Sequence, residues 1–216
     1  MNVCYLSSTE LGKEMYSYLK NLNCNIAYAD TENSHTMDFQ NIDYDLGISF
    51  LYTYKIPASE FSKSKMWLNF HPGPLPEYRG RNLCYHAIMN SADRFGATLH
   101  YMDKDFDTGN IIEVITFPIE SHYTAGDLSK ISKNALVTLF KKYIPRFLSG
   151  EIVKGIMQKS NGNYYKKTFI KEKIILSFEN QLKVKAITVA PDFYAHTIIG
   201  GKKYYIIPEK DINHSN

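Results

Sequence analysis

Short apolar runs separated by stretches with a helical repeat fill the first two thirds of the chain, the pattern of strands alternating with helices. Val3–Leu6 reads as a strand. Ser7-Ser8-Thr9 then offers capping hydroxyls, and Leu11, Met15, Tyr18, Leu19 and Leu22 recur at helical spacing. Asn25–Tyr28 and the buried run Leu46–Leu51 read as further strands, with a polar loop over 30–43 between them. A short helix is expected around Ser59–Lys63, then a strand over Met66–Phe70. That strand runs into His71-Pro72-Gly73-Pro74-Leu75-Pro76, whose prolines exclude helix and central strand. Asn82–Ser91 has helical spacing, Gly96–Met102 alternates as a strand, and Ile111–Phe117 is a strand beyond the acidic loop Asp103–Gly109. The strongest helical stripe is Leu128, Ile131, Ala135, Leu139, Tyr143 and Phe147 within Ala125–Leu148, with Pro145 placed to kink its end. This order predicts an α/β fold: a mostly parallel, twisted sheet with flanking helices.

Residues 151–216 change character. They are rich in Lys and Tyr, with β-branched runs and hairpin signals at Asn161-Gly162-Asn163 and Gly200-Gly201. Two units are expected: an α/β domain over 1–150 and a small C-terminal β-rich subdomain over 151–216. Lys154, Lys159, Lys166, Lys167, Lys171 and Lys173 make the second unit basic, which fits a solvated face or an anionic partner. The apolar patches Ile174-Ile175-Leu176 and Tyr204-Tyr205-Ile206-Ile207 are strand edges of the kind that pair, so a homodimer through this region is expected.

Composition narrows the class without naming a function. The 216 residues are 44% hydrophobic and 22% charged, and the formal charge is +3. That is a folded chain, neither an acidic disordered one nor basic enough to imply nucleic acid. No apolar run is long enough to span a membrane, and the start lacks a basic segment followed by a long apolar one, so neither a membrane partner nor a secretory leader is expected. Cys4, Cys24 and Cys84 are odd in number and form no metal-binding or CxxC spacing; reduced thiols and a cytoplasmic location are expected.

Candidate chemistry concentrates where the Met66–Phe70 strand ends. Asn69 and His71 are two apart on an extended chain, so their side chains share a face. In open α/β sheets that strand end is where ligands bind. Asp107 follows 36 positions later (107 − 71), in a loop after another strand. If the strands are neighbours, a carboxylate meets an imidazole beside an amide: a tuned acid/base next to an oxyanion donor. That set suits acyl transfer to a substrate amine through a tetrahedral intermediate, and no GxSxG-type nucleophile is present. Singly, each residue also has a structural reading, as a satisfied strand-end histidine or a turn aspartate.

The segment LNFHPGPLPEYRGRNLCYHAIMNSADRFGATLHYMDKDFDTGNII, residues 68–112, strongly resembles the folate-dependent formyltransferases. It carries Asn-x-His-Pro, then Leu-Pro-x-Tyr-Arg-Gly, then an Asp-x-Gly loop, in that order. The resemblance implies a Rossmann-like domain, Asn69, His71 and Asp107 as a catalytic trio, and 10-formyltetrahydrofolate as formyl donor, with no metal. It also implies a pterin pocket walled by Phe50, Leu51, Tyr52 and Ile56 on one side and Met102, Asp103 and Gly109 on the other. Gln158-Lys159-Ser160 and Tyr164-Tyr165-Lys166-Lys167 resemble the linker of the methionyl-tRNA and sugar branches, and Lys183–Ile187 and Gly201–Tyr205 their C-terminal strands. The chain departs from the family at Gly73-Pro74-Leu75-Pro76, where relatives carry Ser-Leu-Leu-Pro, and in a short segment before Phe50.

Three acceptors compete. Glycinamide ribonucleotide enzymes carry a glycine-rich phosphate loop after the first strand; here Ser7–Gly12 has one glycine and Glu10, which repels phosphate. Methionyl-tRNA enzymes add a barrel domain for tRNA, whereas 66 residues follow Gly150 here (216 − 150) and the net charge is small. The sugar N-formyltransferases fit best, with a nucleotide-linked amino sugar as partner and no nucleic acid. Tyr78, Arg79 and Asn82 are then candidates for its sugar and diphosphate; Arg79 equally suits anchoring its own loop. Readings from other classes are a silent folate or nucleotide-sugar binder, a metal site of His71, His100 and Asp103, and formyl hydrolysis, whose enzymes carry a further N-terminal domain.

Overall fold

The computed structural model describes residues 1–31, 42–61, 66–159, 162–166, 195–199 and 202–206. In chain order the elements are β1 (Asn2–Ser7), α1 (Glu10–Lys20), β2 (Asn25–Asp30), β3 (Leu46–Phe50), α2 (Ala58–Phe61), β4 (Met66–His71), β5 (Tyr78–Gly80), α3 (Leu83–Met89), β6 (Arg94–Tyr101), β7 (Ile111–Pro118), α4 (Ala125–Leu148), β8 (Asn163–Tyr165), β9 (Ala195–Ile199) and β10 (Lys202–Ile206).

The expected α/β architecture is present. Six strands form one sheet in the order β2-β1-β3-β4-β6-β7. The first four are parallel, while β6 runs antiparallel to β4 and β7 antiparallel to β6. The β6–β7 link, residues 102–110, is too short for a crossover, which forces the antiparallel edge.

One face of the sheet packs on α1 and α4. Leu46, Ile48 and Phe50 alternate onto that face, and Phe140 of α4 meets Phe50 at 5.5 Å and Phe70 at 5.1 Å between ring centroids. Trp67 fills the other face with Tyr44 and Ile56. It lies in register with Gly47, where any β-carbon would come within 2.2 Å of its ring. α4 starts with a capping box in which the Asp127 carboxylate accepts from the Thr124 N–H at 2.8 Å and Thr124 Oγ1 accepts from the Asp127 N–H at 3.3 Å.

After α4, residues 151–159 run along the α/β body: Val153 is buried in the main core, and Ile156 bridges Ile111 of β7. The Asn161-Gly162-Asn163 signal does not mark a hairpin among the described residues. Asn161 itself lies outside them, and β8 pairs in parallel with β5, which a tight turn cannot join. β9 and β10 are antiparallel around 200–201. The apolar run 174–176, the segment 183–187 and three of the six lysines, Lys167, Lys171 and Lys173, lie outside the described residues. Among the described residues no helix is long and apolar enough to cross a membrane.

Candidate active site

Register gathers the polar side chains. Asn69 and His71 share a face of β4, and their antiparallel partners on β6 are His100 and Thr98. Four polar residues thus project together from an otherwise apolar interior. Thr98 holds the proline loop by donating to the Gly73 carbonyl at 2.7 Å and accepting from the Leu75 N–H at 3.0 Å. The Leu75–Pro76 bond is cis.

His71 is 4% exposed. Its Nε2 lies 2.7 Å from the Tyr78 carbonyl, and a carbonyl only accepts, so Nε2 carries the proton. Nδ1 is thereby turned to Asp107, 3.5 Å from Oδ1. Asp107 arrives from the β6–β7 loop with φ of 57°, a left-handed conformation that Asp tolerates better than most side chains. Its Oδ2 accepts from the Gly80 N–H at 2.8 Å. Gly80 itself has φ of 96°, and a β-carbon there would meet the Tyr165 carbonyl at 2.1 Å.

His100 completes the cluster. Its Nδ1 donates to the Tyr101 carbonyl at 2.7 Å, which leaves Nε2 as a lone pair. Asn69 Nδ2 donates to that lone pair at 3.1 Å and to Asp107 Oδ1 at 3.4 Å. A flipped Asn69 amide would set oxygen against lone pair, so the Tyr101 carbonyl fixes the Asn69 orientation through the His100 tautomer. Burial pushes the His100 imidazole down to about 4, with the His71 charge adding to the fall and the Asp107 carboxylate opposing it. Burial alone would raise the Asp107 carboxyl, but the two imidazoles, the Gly80 N–H and Arg79 together hold it below the ordinary carboxylate value. The site therefore keeps one carboxylate ionised beside one neutral imidazole at neutral pH.

The cluster floors a cavity of about 550 Å³. Of the residues expected to bind ligand, Leu51, Tyr52, Ile56, Met102, Asp103 and Asn82 line it with the trio. Leu51 has φ of 54°, which swings 51–56 across the opening. Four expected residues do not line it. Phe50 is fully buried on the opposite face of β3, against Phe70 and Phe140. Gly109 is behind the loop, where a β-carbon would strike the Tyr101 carbonyl at 1.9 Å. Tyr78 is buried against Phe95 and Tyr165, offering the site its backbone carbonyl. Arg79 donates from Nε and Nη2 to the Phe106 carbonyl at 3.1 and 2.8 Å, anchoring the Asp107 loop. Residues outside the expected set also line the cavity, among them His100, Arg81 and Lys133. His100 lies opposite Asn69 through the β4–β6 register, which alternation alone does not give, and Lys133 gives no signal beyond one lysine on a helix.

Comparison with known proteins agrees with this geometry. The formyl transferase family profile matches residues 27–143. The chain is 28% identical over 202 residues to the GDP-perosamine N-formyltransferase of Brucella melitensis, covering 91% of this chain and 76% of that one. It is 26% identical over 148 residues to the methionyl-tRNA formyltransferase of Syntrophomonas wolfei, covering 66% of this chain and 46% of that one. Against that enzyme and the one from Mycoplasmopsis pulmonis, of which it covers 38%, the chain spans less than half of their length. A 4-N formyltransferase from Francisella tularensis superposes with a TM-score of 0.77 at 21% identity, covering 96% and 97% of the two chains. An N-formyltransferase from Helicobacter canadensis, solved with folinic acid and dTDP-3-aminofucose, superposes with a TM-score of 0.71 at 24% identity, covering 85% and 79%. These superpositions establish a shared fold. With its profile matching more than half of the residues, including the whole Asn69–Asp107 cluster, this chain belongs to the formyl transferase family.

Proposed function

We propose that the protein moves a formyl group from 10-formyltetrahydrofolate to the amino group of a nucleotide-linked amino sugar. The observation that carries this reading is the convergence of Asn69, His71 and Asp107 on the floor of one cavity at the end of β4. The Helicobacter canadensis enzyme, with folinic acid and a dTDP-amino sugar bound, supports the donor and the substrate class. The Brucella enzyme, of which the chain covers 76%, supports a sugar acceptor.

In this mechanism the acceptor amine attacks the formyl carbon, forming a C–N bond and a tetrahedral oxyanion. His71, as an imidazolium protonated on both ring nitrogens, keeps Nε2 on the Tyr78 carbonyl and donates from Nδ1 to that oxygen across the 3.5 Å gap now facing Asp107. Asn69 is committed to His100 and Asp107; the longer bond, 3.4 Å to Asp107, is the one that yields an N–H to the oxyanion. Asp107 takes the proton of the attacking amine, directly or through water, and passes it to folate N10 as the bond from carbon to N10 breaks, which returns the carboxylate to its ionised form. The amine attacks only when neutral, so the rate rises with pH toward neutrality.

Leu51–Ile56 and Met102–Asp103 would hold the pterin, and Asn82 with Arg81 the acceptor. Arg79 in this reading serves the Asp107 loop rather than the diphosphate. A division at residue 150, a homodimer paired through the C-terminal strands and a cytoplasmic location are part of the same proposal; three free thiols support the last. Sedimentation showing only monomer at micromolar concentration would remove the dimer.

The deciding experiment supplies formyl donor with dTDP-, GDP- and UDP-linked amino sugars, glycinamide ribonucleotide and charged initiator tRNA. Transfer to a sugar is expected, and His71→Ala should lose it by roughly a thousandfold. Transfer to tRNA alone would overturn the acceptor, and near wild-type turnover by His71→Ala the role of the trio.

A further inference from the structure

Asp107 depends on a part of the chain outside the cavity. After α4 the backbone returns along β7, where Ile156 exchanges both main-chain hydrogen bonds with Ile111, at 2.8 and 2.7 Å. That pairing delivers Gln158 to the β6–β7 loop. Its carboxamide hydrogens are both used there: Nε2 donates to the Asp107 carbonyl at 3.0 Å and to the Gly109 carbonyl at 2.8 Å. A single side chain thus closes the turn on either side of Thr108, where Asp107 holds its left-handed φ of 57°. The carboxamide oxygen is buried with no partner among the described residues, so the bonds that hold the group there come from its nitrogen end.

The same segment secures the other partner of Asp107. Just beyond Gln158, β8 pairs with β5: the Arg81 N–H donates to the Tyr165 carbonyl at 2.9 Å and the Asn163 N–H to the Glu77 carbonyl at 3.3 Å. β5 carries Gly80, whose N–H binds Asp107 Oδ2 at 2.8 Å. Gln158 therefore holds the backbone of Asp107, and β8 holds its side chain through β5. Without the carboxamide, two carbonyls and a strained backbone would be free to relax, and the carboxylate would drift from His71.

We infer that Gln158 is a positioning residue for the formyl transfer, a clip that holds the Asp107 carboxylate between His71 and the Gly80 N–H. It does not line the cavity and touches no reacting atom. The inference rests on the proposed function for its kinetic part alone.

Two near-isosteric variants of the full chain test it. Gln158→Met removes both donors and keeps the volume; Gln158→Glu sets a carboxylate against two carbonyls. Both should lower kcat, by roughly 10- to 100-fold, the scale of a displacement of about 1 Å at a reacting group. KM for donor and acceptor should stay within about twofold, a split that general loosening of the fold would not give. The Gly80 amide proton, read by NMR, should move upfield and exchange faster with solvent as its carboxylate acceptor leaves. Unchanged kcat, or a rise in KM alone, overturns the inference. If the wild-type protein transfers no formyl group to any acceptor, the Gly80 resonance decides without activity: unmoved in both variants, it overturns the clip by itself. Should Gln158→Glu fail to fold, Gln158→Met carries the same readouts.

Discussion

β1 and β4 end on the same edge of one sheet, separated by β3, yet their ends are built in opposite ways. At the end of β1 the helix start is satisfied locally, although Ser8 Oγ also accepts from the Thr53 N–H at 3.2 Å. Thr9 Oγ1 accepts from the Gly12 N–H at 3.1 Å and caps α1, the Thr9 N–H donates to Ser7 Oγ at 3.4 Å, and exposed Glu10 pairs with Lys13 at 2.9 Å. At the end of β4 nearly every polar partner is remote: His71 to Asp107, Asn69 to His100, Asp107 to Gly80, Gln158 to Asp107. The first end is a closed helix start. The second holds buried polar groups in a geometry no neighbour could impose, and that is the one with a cavity. A strand end becomes a reactive site when its hydrogen bonds are long-range, because only then can several elements aim at one point.

The sharpest way to break this contrast is to remove the charge at the remote end. Asp107→Asn keeps the shape of the side chain and its bond from Gly80 but cannot take the amine's proton. Formyl transfer should fall by roughly a thousandfold, with folding retained. Steady-state kcat over a pH series measures it; a loss under about tenfold would mean that the carboxylate only shapes the loop.

His100 offers the next test, because it is held neutral by burial. Its imidazole titrates near 4 in the folded chain, against an ordinary histidine value of about 6.5. The unfolded chain therefore binds an extra proton between those values. His100 stabilises the fold fully above the ordinary value, and that contribution is lost as pH falls from there toward 4. Asp107, held below the ordinary carboxylate range, remains ionised through this window, and His86, also lowered by burial, contributes in the same direction. Urea unfolding of the wild type should weaken by a few kcal/mol between pH 7 and pH 4.5, and less in His100→Asn. The same variant should transfer formyl about tenfold more slowly at pH 7, since the Asn69 amide loses the lone pair that orients it. Equal pH dependence in both proteins would show that His100 is not the group being titrated.

These two ends also differ in how far they are legible from sequence. Strand–helix alternation, the β4 end and the shared face of Asn69 and His71 follow from a period of two and from the prolines that stop the strand. The same period assigns Phe50 to the core with Ile48 and leaves Ser49 and Leu51 toward the cavity, which the resemblance-based pocket did not separate. Asp107 stands in the sequence as a conditional candidate, since a loop aspartate has no local mark of its partner, and the family resemblance supplies the rest. Arg79 reads equally as a phosphate ligand and as a loop anchor in isolation, and its bonds to the Phe106 carbonyl show the second. Gln158 and β8 were hardest, since glutamine in a linker carries no pattern and its partners lie 51 and 49 residues away. What is local in the chain is readable; what is closed by tertiary contact is readable only through its outcome.

The smallest expected effect comes from the local end and should be purely one of stability. Thr9→Ala removes the acceptor of the Gly12 N–H and leaves the first turn of α1 uncapped. Caps of this type are worth about 1 kcal/mol, so the denaturation midpoint should shift by that amount. Neither Thr9 nor Gly12 lines the cavity, and none of their bonds reaches Asn69, His71 or Asp107. Formyl transfer should accordingly stay within about twofold of wild type at temperatures where both proteins are folded. Chemical denaturation and initial rates on the same preparations separate the two quantities. A drop in rate without a drop in stability would mean that the β1 end takes part in binding the acceptor, and that local and remote strand ends serve a single site.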